Sequence, residues 1–126
     1  MAVSKVFVSY RREDTAWAAR AVYESLRQAF ARDVFIDIET ISVGKKFAAV
    51  IDDHLEGCQV MLAMIGPAWE VALNKRLQSG ALDHVRVEIT RALAKDIPLV
   101  PVLVDRRDMP EPSALPEDLR PLLEYN

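Results

Sequence analysis

Residues 5–38 hold three consecutive patterns. Lys5-Val6-Phe7-Val8-Ser9-Tyr10 is rich in β-branched and aromatic side chains. After Arg11-Arg12-Glu13-Asp14 comes a stretch in which Ala19, Val22, Leu26, Ala29 and Phe30 recur at helical spacing, and Val34-Phe35-Ile36-Asp37-Ile38 closes the segment. The outer two runs are nearly continuous in apolar character, as strands covered on both faces are. In the middle stretch Arg20, Glu24, Arg27 and Gln28 point away from the apolar positions, so the spacing predicts an amphipathic helix over about 15–30, with Asp14 as its N-cap. Strand, helix, strand is a βαβ unit, and its two strands run parallel.

Outward from this unit the alternation continues. Val60 to Ile65 and Leu99 to Val104 read as further strands. Phe47, Val50, Ile51 and Leu55 form a second helical stripe, with Gly57 placed to end it in a left-handed C-cap. Val85, Ile89, Ala92 and Leu93 form a third. Residues 67–82, beginning Pro67-Ala68-Trp69, are expected to be irregular or to hold a short helical piece. Prolines 110, 112 and 116 mark 105–117 as a loop, after which Pro116-Glu117-Asp118-Leu119 looks like a short helix start. The order implies an open α/β sandwich with a parallel sheet.

Composition excludes several classes. The 126 residues are 51% hydrophobic and 28% charged, with seven prolines and four glycines, which fits one folded domain and no collagen-like or low-complexity chain. Sixteen basic against 19 acidic residues give 16 − 19 = −3, and a pI near 5.4 is not the footprint of a nucleic-acid binder. The longest apolar run, Val60 to Ile65, is far short of the roughly 20 residues a membrane helix needs, and the N-terminus has no secretory pattern. The chain reads as soluble and intracellular. Cys58, the single cysteine, has no disulfide partner and, with two histidines, no zinc set; it is expected to be a small buried residue.

Familiar chemistries are also absent. The glycines at 44, 57, 66 and 80 are too far apart for a dinucleotide fingerprint or a phosphate loop. His54 falls near the second helix's apolar stripe, where it reads as a packing residue, and His84 just precedes the third; neither supports a nucleophile-histidine pair. A receiver domain would need an acidic pair after its first strand, where this chain has Tyr10-Arg11-Arg12.

What remains is a set of polar groups at the C-terminal ends of strands, where open α/β sheets bind ligands: Ser9, Tyr10, Arg11 and Arg12, then Asp37 and Glu39, with Glu88 on the third helix. Two adjacent arginines suit a pyrophosphate, and carboxylates suit ribose hydroxyls or a developing cation. The alternative is that Arg11 and Arg12 pair with Glu13 and Asp14 on the surface. At about 100° per residue from Val85, the stripe Ile89, Ala92 and Leu93 is centred near about 25° and Glu88 sits near about −60°, on its flank. A boundary glutamate paired with Arg91 or His84 is the other reading of that position.

Val6-Phe7-Val8-Ser9-Tyr10-Arg11-Arg12-Glu13-Asp14, Val34 to Glu39 leading to Gly44, Val85-Arg86-Val87-Glu88-Ile89, and Leu115-Pro116-Glu117-Asp118-Leu119 together resemble a bacterial Toll/interleukin-1 receptor (TIR) domain of the NAD-cleaving type, over nearly the whole chain. The resemblance implies a flavodoxin-like three-layer fold with strands near 5–10, 34–38, 59–65 and 98–104 in spatial order second, first, third, fourth. It also implies one TIR domain over 1–126, excised from a larger protein or C-terminally incomplete, because the chain stops about where the family's fifth strand begins.

Functionally, the resemblance implies cleavage of NAD⁺ at the nicotinamide–ribose bond, with Glu88 as the catalytic carboxylate and no cofactor. Ser9, Tyr10, Arg11, Arg12, Asp37, Lys46 and His84 are the implied substrate-binding residues. The loop after the second strand, with Glu39, Ile41, Val43 and Gly44, is the implied assembly loop. Implied partners are NAD⁺, other TIR domains in an oligomer or filament, and a sensor domain; nucleic acid and membrane are not among them. The setting implied is cytoplasmic immune signalling, with a non-catalytic TIR scaffold as the alternative. One departure stands out: the family often has Trp four residues before the glutamate, where this chain has His84, so linear ADP-ribose is favoured over a cyclic product.

Overall fold

The computed structural model describes residues 5–30, 34–36 and 47–125. Its elements are β1 (Lys5–Ser9), α1 (Arg12–Phe30), β2 (Val34–Ile36), α2 (Phe47–Leu55), β3 (Cys58–Ile65), α3 (Trp69–Ser79), α4 (His84–Ala94) and β4 (Leu99–Leu103), followed by 3₁₀ segments Pro112–Ala114 and Glu117–Tyr125. The four strands form one sheet in the order β2-β1-β3-β4, and every neighbouring pair is parallel. The expected order and direction are those observed.

Alternation along the strands sorts side chains between the two faces. Val6 and Val8 of β1 and Met64 of β3 pack with Ala18 and Ala19 of α1. Phe7, Met61, Ala63 and Ile65 point the other way, into a larger core with Ile51, Leu55, Trp69, Leu73, Val85 and Ile89. Ser9 shares the parity of Phe7 and so faces the α4 layer. Burial of a side chain such as Ile89 contributes roughly 1.5–3 kcal/mol, so an apolar stripe, not polar contacts, docks α4 on the sheet.

Three local expectations are corrected. Helix α1 begins at Arg12, not near 15, and contains a kink at Thr15 (φ −132°, ψ 27°). The Arg11 carbonyl accepts from both Asp14 N and Thr15 N, which makes a tight turn before the regular helix. Asp14 does not cap its own helix: its carboxylate accepts from Gly66 N (2.8 Å) and Ala68 N (2.9 Å), binding the start of α1 to the turn after β3. Residues 69–79 form a full helix; its buried set is only Trp69, Ala72 and Leu73, too narrow a stripe to register as periodicity in the sequence. Gly57 (φ 74°) ends α2 as expected. Cys58 is half-buried, its thiol 3.2 Å from the Val60 carbonyl oxygen.

Gly66 is held by contact. A Cβ there would lie 2.5 Å from Asp14 Oδ1 and 2.6 Å from Thr15 Cγ2. Gly66→Ala is therefore expected to displace the Asp14 carboxylate and destabilise the protein by about 1–3 kcal/mol, measured by urea unfolding; an unchanged midpoint would contradict the close approach.

The same turn is braced from the loop after β4. Arg106 donates to the Gly66 carbonyl oxygen (3.0 Å) and pairs through both terminal nitrogens with Glu70, Nη2 at 2.8 Å from Oε2. The hydrogen bond from Arg106 holds the Glu70 carboxyl below its ordinary 4.5, and Glu70 in turn raises Arg106. A carboxylate depressed in the folded state stabilises above its unfolded value and loses that contribution as pH falls through the folded one. Glu70→Gln is thus expected to lower Tm at neutral pH, with the gap to wild type closing below about pH 4. Equal gaps in thermal scans at pH 7 and in that acid range would contradict this.

Near the C-terminus, Leu119 and Leu122 are both buried in the α4-side core and lie three residues apart, the period of a 3₁₀ helix. Pro121 lies between them inside the segment and donates no backbone hydrogen bond there.

Candidate active site

Ser9 is the last residue of β1 and is 1% exposed. Its hydroxyl donates to Glu88 Oε1 at 2.7 Å, and Glu88 is 0% exposed. The flank position expected for Glu88 is thereby corrected to a buried one. A helical wheel contains only α4, whereas in the fold the end of β1 lies against Glu88, and α2 and the final 3₁₀ segment also pack on the helix. Arg91 faces Asp52 instead, at 3.9 Å, and Ser9 is a hydrogen-bonding partner of Glu88 that pattern along the helix could not show. With its hydroxyl hydrogen committed to Glu88, Ser9 orients the carboxylate.

Two residues on, Arg11 makes the second connection. Nη1 and Nη2 donate to Asp83 Oδ1 and Oδ2 at 2.8 and 2.9 Å, with the two side chains 1% and 6% exposed. The Arg11 Cζ lies 4.9 Å from the ring centroid of Trp69, which is fully buried. Asp83 is also the N-cap of α4, its Oδ1 3.4 Å from Arg86 N.

The expected two-arginine clamp is corrected, because the Arg11 fork is already bidentate on a carboxylate. Only its Nε lacks an acceptor among the described residues. The surface pairing with Glu13 and Asp14 is corrected as well: Glu13 pairs with Arg76 at 2.9 Å, and Asp14 binds the Gly66 turn. Asp83 escaped the sequence reading. Its signal was an acidic N-cap type two residues before the stripe that begins at Val85.

A cavity of about 400 Å³, within the range of small-molecule sites, opens at the end of β1. Its walls are formed by Tyr10, Arg11, Arg12 and Glu13 from the end of β1 and the start of α1, by Asp83, His84 and Val85 at the start of α4, and by Arg76 and Leu82. Arg12 is exposed, Tyr10 and His84 half-buried. Glu88, one helical turn beyond His84, is not a wall residue. The structure therefore brings together Ser9, Tyr10, Arg11, Arg12, His84 and Glu88, while Asp37, Glu39, Ile41, Val43, Gly44 and Lys46 lie outside the described residues. No helix among the described residues is long and apolar enough to cross a membrane.

A parallel β2-β1-β3-β4 sheet between helical layers, with an α4 glutamate buried against the end of β1, defines a flavodoxin-like α/β domain with its polar site at the strands' C-terminal edge. The chain belongs to the TIR domain family, whose profile matches residues 6–123. It is 30% identical over 121 residues to the NAD(+) hydrolase sarm1 of Drosophila melanogaster, covering 96% of this chain and 9% of that protein. With the NAD(+) hydrolase SARM1 of Danio rerio it shares 32% over 122 residues, covering 96% of this chain and 16% of the relative. The chain thus spans only a small part of these relatives' length. A metazoan TIR-STING receptor from C. gigas superposes with a TM-score of 0.57 at 20% identity, over 93% of this chain and 35% of that one, a likeness of fold.

Proposed function

We propose that this domain is an NAD⁺ nucleosidase of the NAD-cleaving TIR type, with Glu88 as its catalytic carboxylate. The observation that carries the reading is a fully buried glutamate oriented by Ser9 beside a ligand-sized cavity; the NAD(+) hydrolase relatives support it. In NAD⁺ the C1′–N bond joins ribose to a positively charged pyridinium. When it breaks, the electron pair leaves on the ring nitrogen and nicotinamide departs neutral, so no proton donor is needed. The cation left on ribose is stabilised by the Glu88 carboxylate. Water adds to C1′ and loses a proton, giving nicotinamide, ADP-ribose and H⁺.

The cavity walls suit the rest of the molecule. Arg12 supplies charge for the pyrophosphate, and Tyr10 and His84 supply ring faces for stacking. Asp37 and Lys46 complete the expected binding set from the segment after β2. Imidazole in place of the family's Trp favours linear ADP-ribose as the major product, to be checked by chromatography; a cyclic product alone would contradict it. No cofactor enters this reading. Its setting is a cytoplasmic effector module of bacterial antiphage signalling, joined to a sensor domain and switched on by assembly with other TIR domains.

A non-catalytic TIR scaffold is the second reading, favoured by His84 and by the absence of Glu88 from the cavity wall. Nicotinamide release from NAD⁺ at high protein concentration separates the two: release that depends on Glu88 supports the enzyme, and its absence in the assembled protein supports the scaffold.

A further inference from the structure

We infer that the Arg11–Asp83 pair is a positioning device that sets the depth and angle of α4 and through it the place of Glu88. The inference rests on the nucleosidase reading for its functional part and on geometry for the rest. Two connections run between the same two segments: Ser9 to Glu88 and Arg11 to Asp83, respectively two residues apart along the end of β1 and five along α4. Five residues of helix span about 7.5 Å, so the pair and the catalytic carboxylate are rigidly linked rungs on one helix.

An ion pair buried this deeply is weak evidence of stabilisation, because desolvating both charges offsets most of their attraction. Orientation is what this arrangement provides. The guanidinium is fixed in plane by two parallel hydrogen bonds and against Trp69 by its face. The Asp83 carboxylate, turned towards Arg11, caps the first turn of α4 from the same oxygen, Oδ1. The apolar stripe Val85, Ile89 and Ala92 holds α4 on the sheet, yet a stripe tolerates sliding and rotation. A bidentate fork does not. The pair also forms part of the cavity wall, so the group that locates the helix touches the space where a ligand would sit.

Three variants test this: Arg11→Lys, Asp83→Asn, and the double Arg11→Met with Asp83→Leu, which removes both charges and keeps the side chains' reach and branching. Lysine retains the charge but loses the fork and the stacking face. Each folded variant is expected to lose about tenfold or more in kcat for nicotinamide release, with KM within about threefold of wild type, the signature of a displaced reacting group. Amide exchange at Val87 and Glu88 is expected to speed up about tenfold in the same proteins while β3 amides keep their protection.

A double variant with wild-type α4 exchange, or a folded one with kcat within about twofold of wild type, overturns the inference and leaves the pair purely structural. Exchange is read without turnover, so the two readings fail separately. If wild type releases no nicotinamide even when assembled, the nucleosidase reading falls; lost α4 protection in the variants still supports the pair as the element that positions the helix.

Discussion

Glu88→Gln is expected to lower nicotinamide release on the order of 100-fold or more while leaving the domain folded. The isostere keeps the volume of the buried side chain, and its amide oxygen still accepts from Ser9 at the position of Oε1. What it removes is the negative charge to which the proposed mechanism assigns stabilisation of the ribose cation. Glu88→Ala is the less clean variant, because at a site with 0% exposure it opens a cavity and leaves the Ser9 hydroxyl without its acceptor, at about 1–3 kcal/mol. The pair of substitutions separates chemistry from packing: glutamine is expected to keep Tm and lose turnover, alanine to lose both. Wild-type turnover in a folded Glu88→Gln protein would remove Glu88 from the reaction.

Specific activity is expected to rise with protein concentration or crowding, and Gly44→Pro or Ile41→Asp to suppress that rise with Glu88 intact. The motive is access. Glu88 is fully buried and is not a wall residue of the adjacent cavity, so a substrate reaching it requires the end of β1 or α4 to shift. A competent state of low population lowers turnover by its fraction, and an interface that forms only in that state restores it by mass action. By residue type alone, Ile41 and Val43 of the expected assembly loop would supply apolar area to a neighbour, and Gly44 would permit a tight turn. A head-to-tail contact of this kind propagates instead of closing. Specific activity that stays flat over about a hundredfold range of concentration, with light scattering showing only monomer, would rule this out.

Burial of Glu88 is a tertiary fact, whereas the assembly loop rests on residue types and resemblance alone. A concentration-dependent wild type together with an inactive Glu88→Gln would join them into one mechanism; a flat but Glu88-dependent rate would separate catalysis from assembly and place the access step within the monomer.

Apolar patterning sufficed for the strands, their parallel direction and the helices α1, α2 and α4, because a continuous β-branched run marks a strand covered on both faces and a 3.6-residue period records which side of a helix is buried. The order of the strands in the sheet came from the family resemblance. Patterning could not resolve α3, whose three buried residues leave eight positions to solvent or partial cover. Nor could it resolve the partners of the polar residues at the strand ends. Ser9, Arg11 and Glu88 were legible as candidates from their place after β1 and on α4. That Ser9 holds Glu88 across a separation of 79 residues, and that Arg11 turns inward to Asp83 across 72, depends on which helix the β1 end packs against. Charge complementarity along the chain offered Arg11 nearer acids in Glu13 and Asp14. The fold placed those acids on Arg76 and on the Gly66 turn and left the guanidinium between Trp69 and the cap of α4. Periodicity is a property of one element and is written in the sequence. The direction of a buried polar bond is a property of two elements meeting, since desolvation forces each buried group to pair with whatever the packed layers bring within reach.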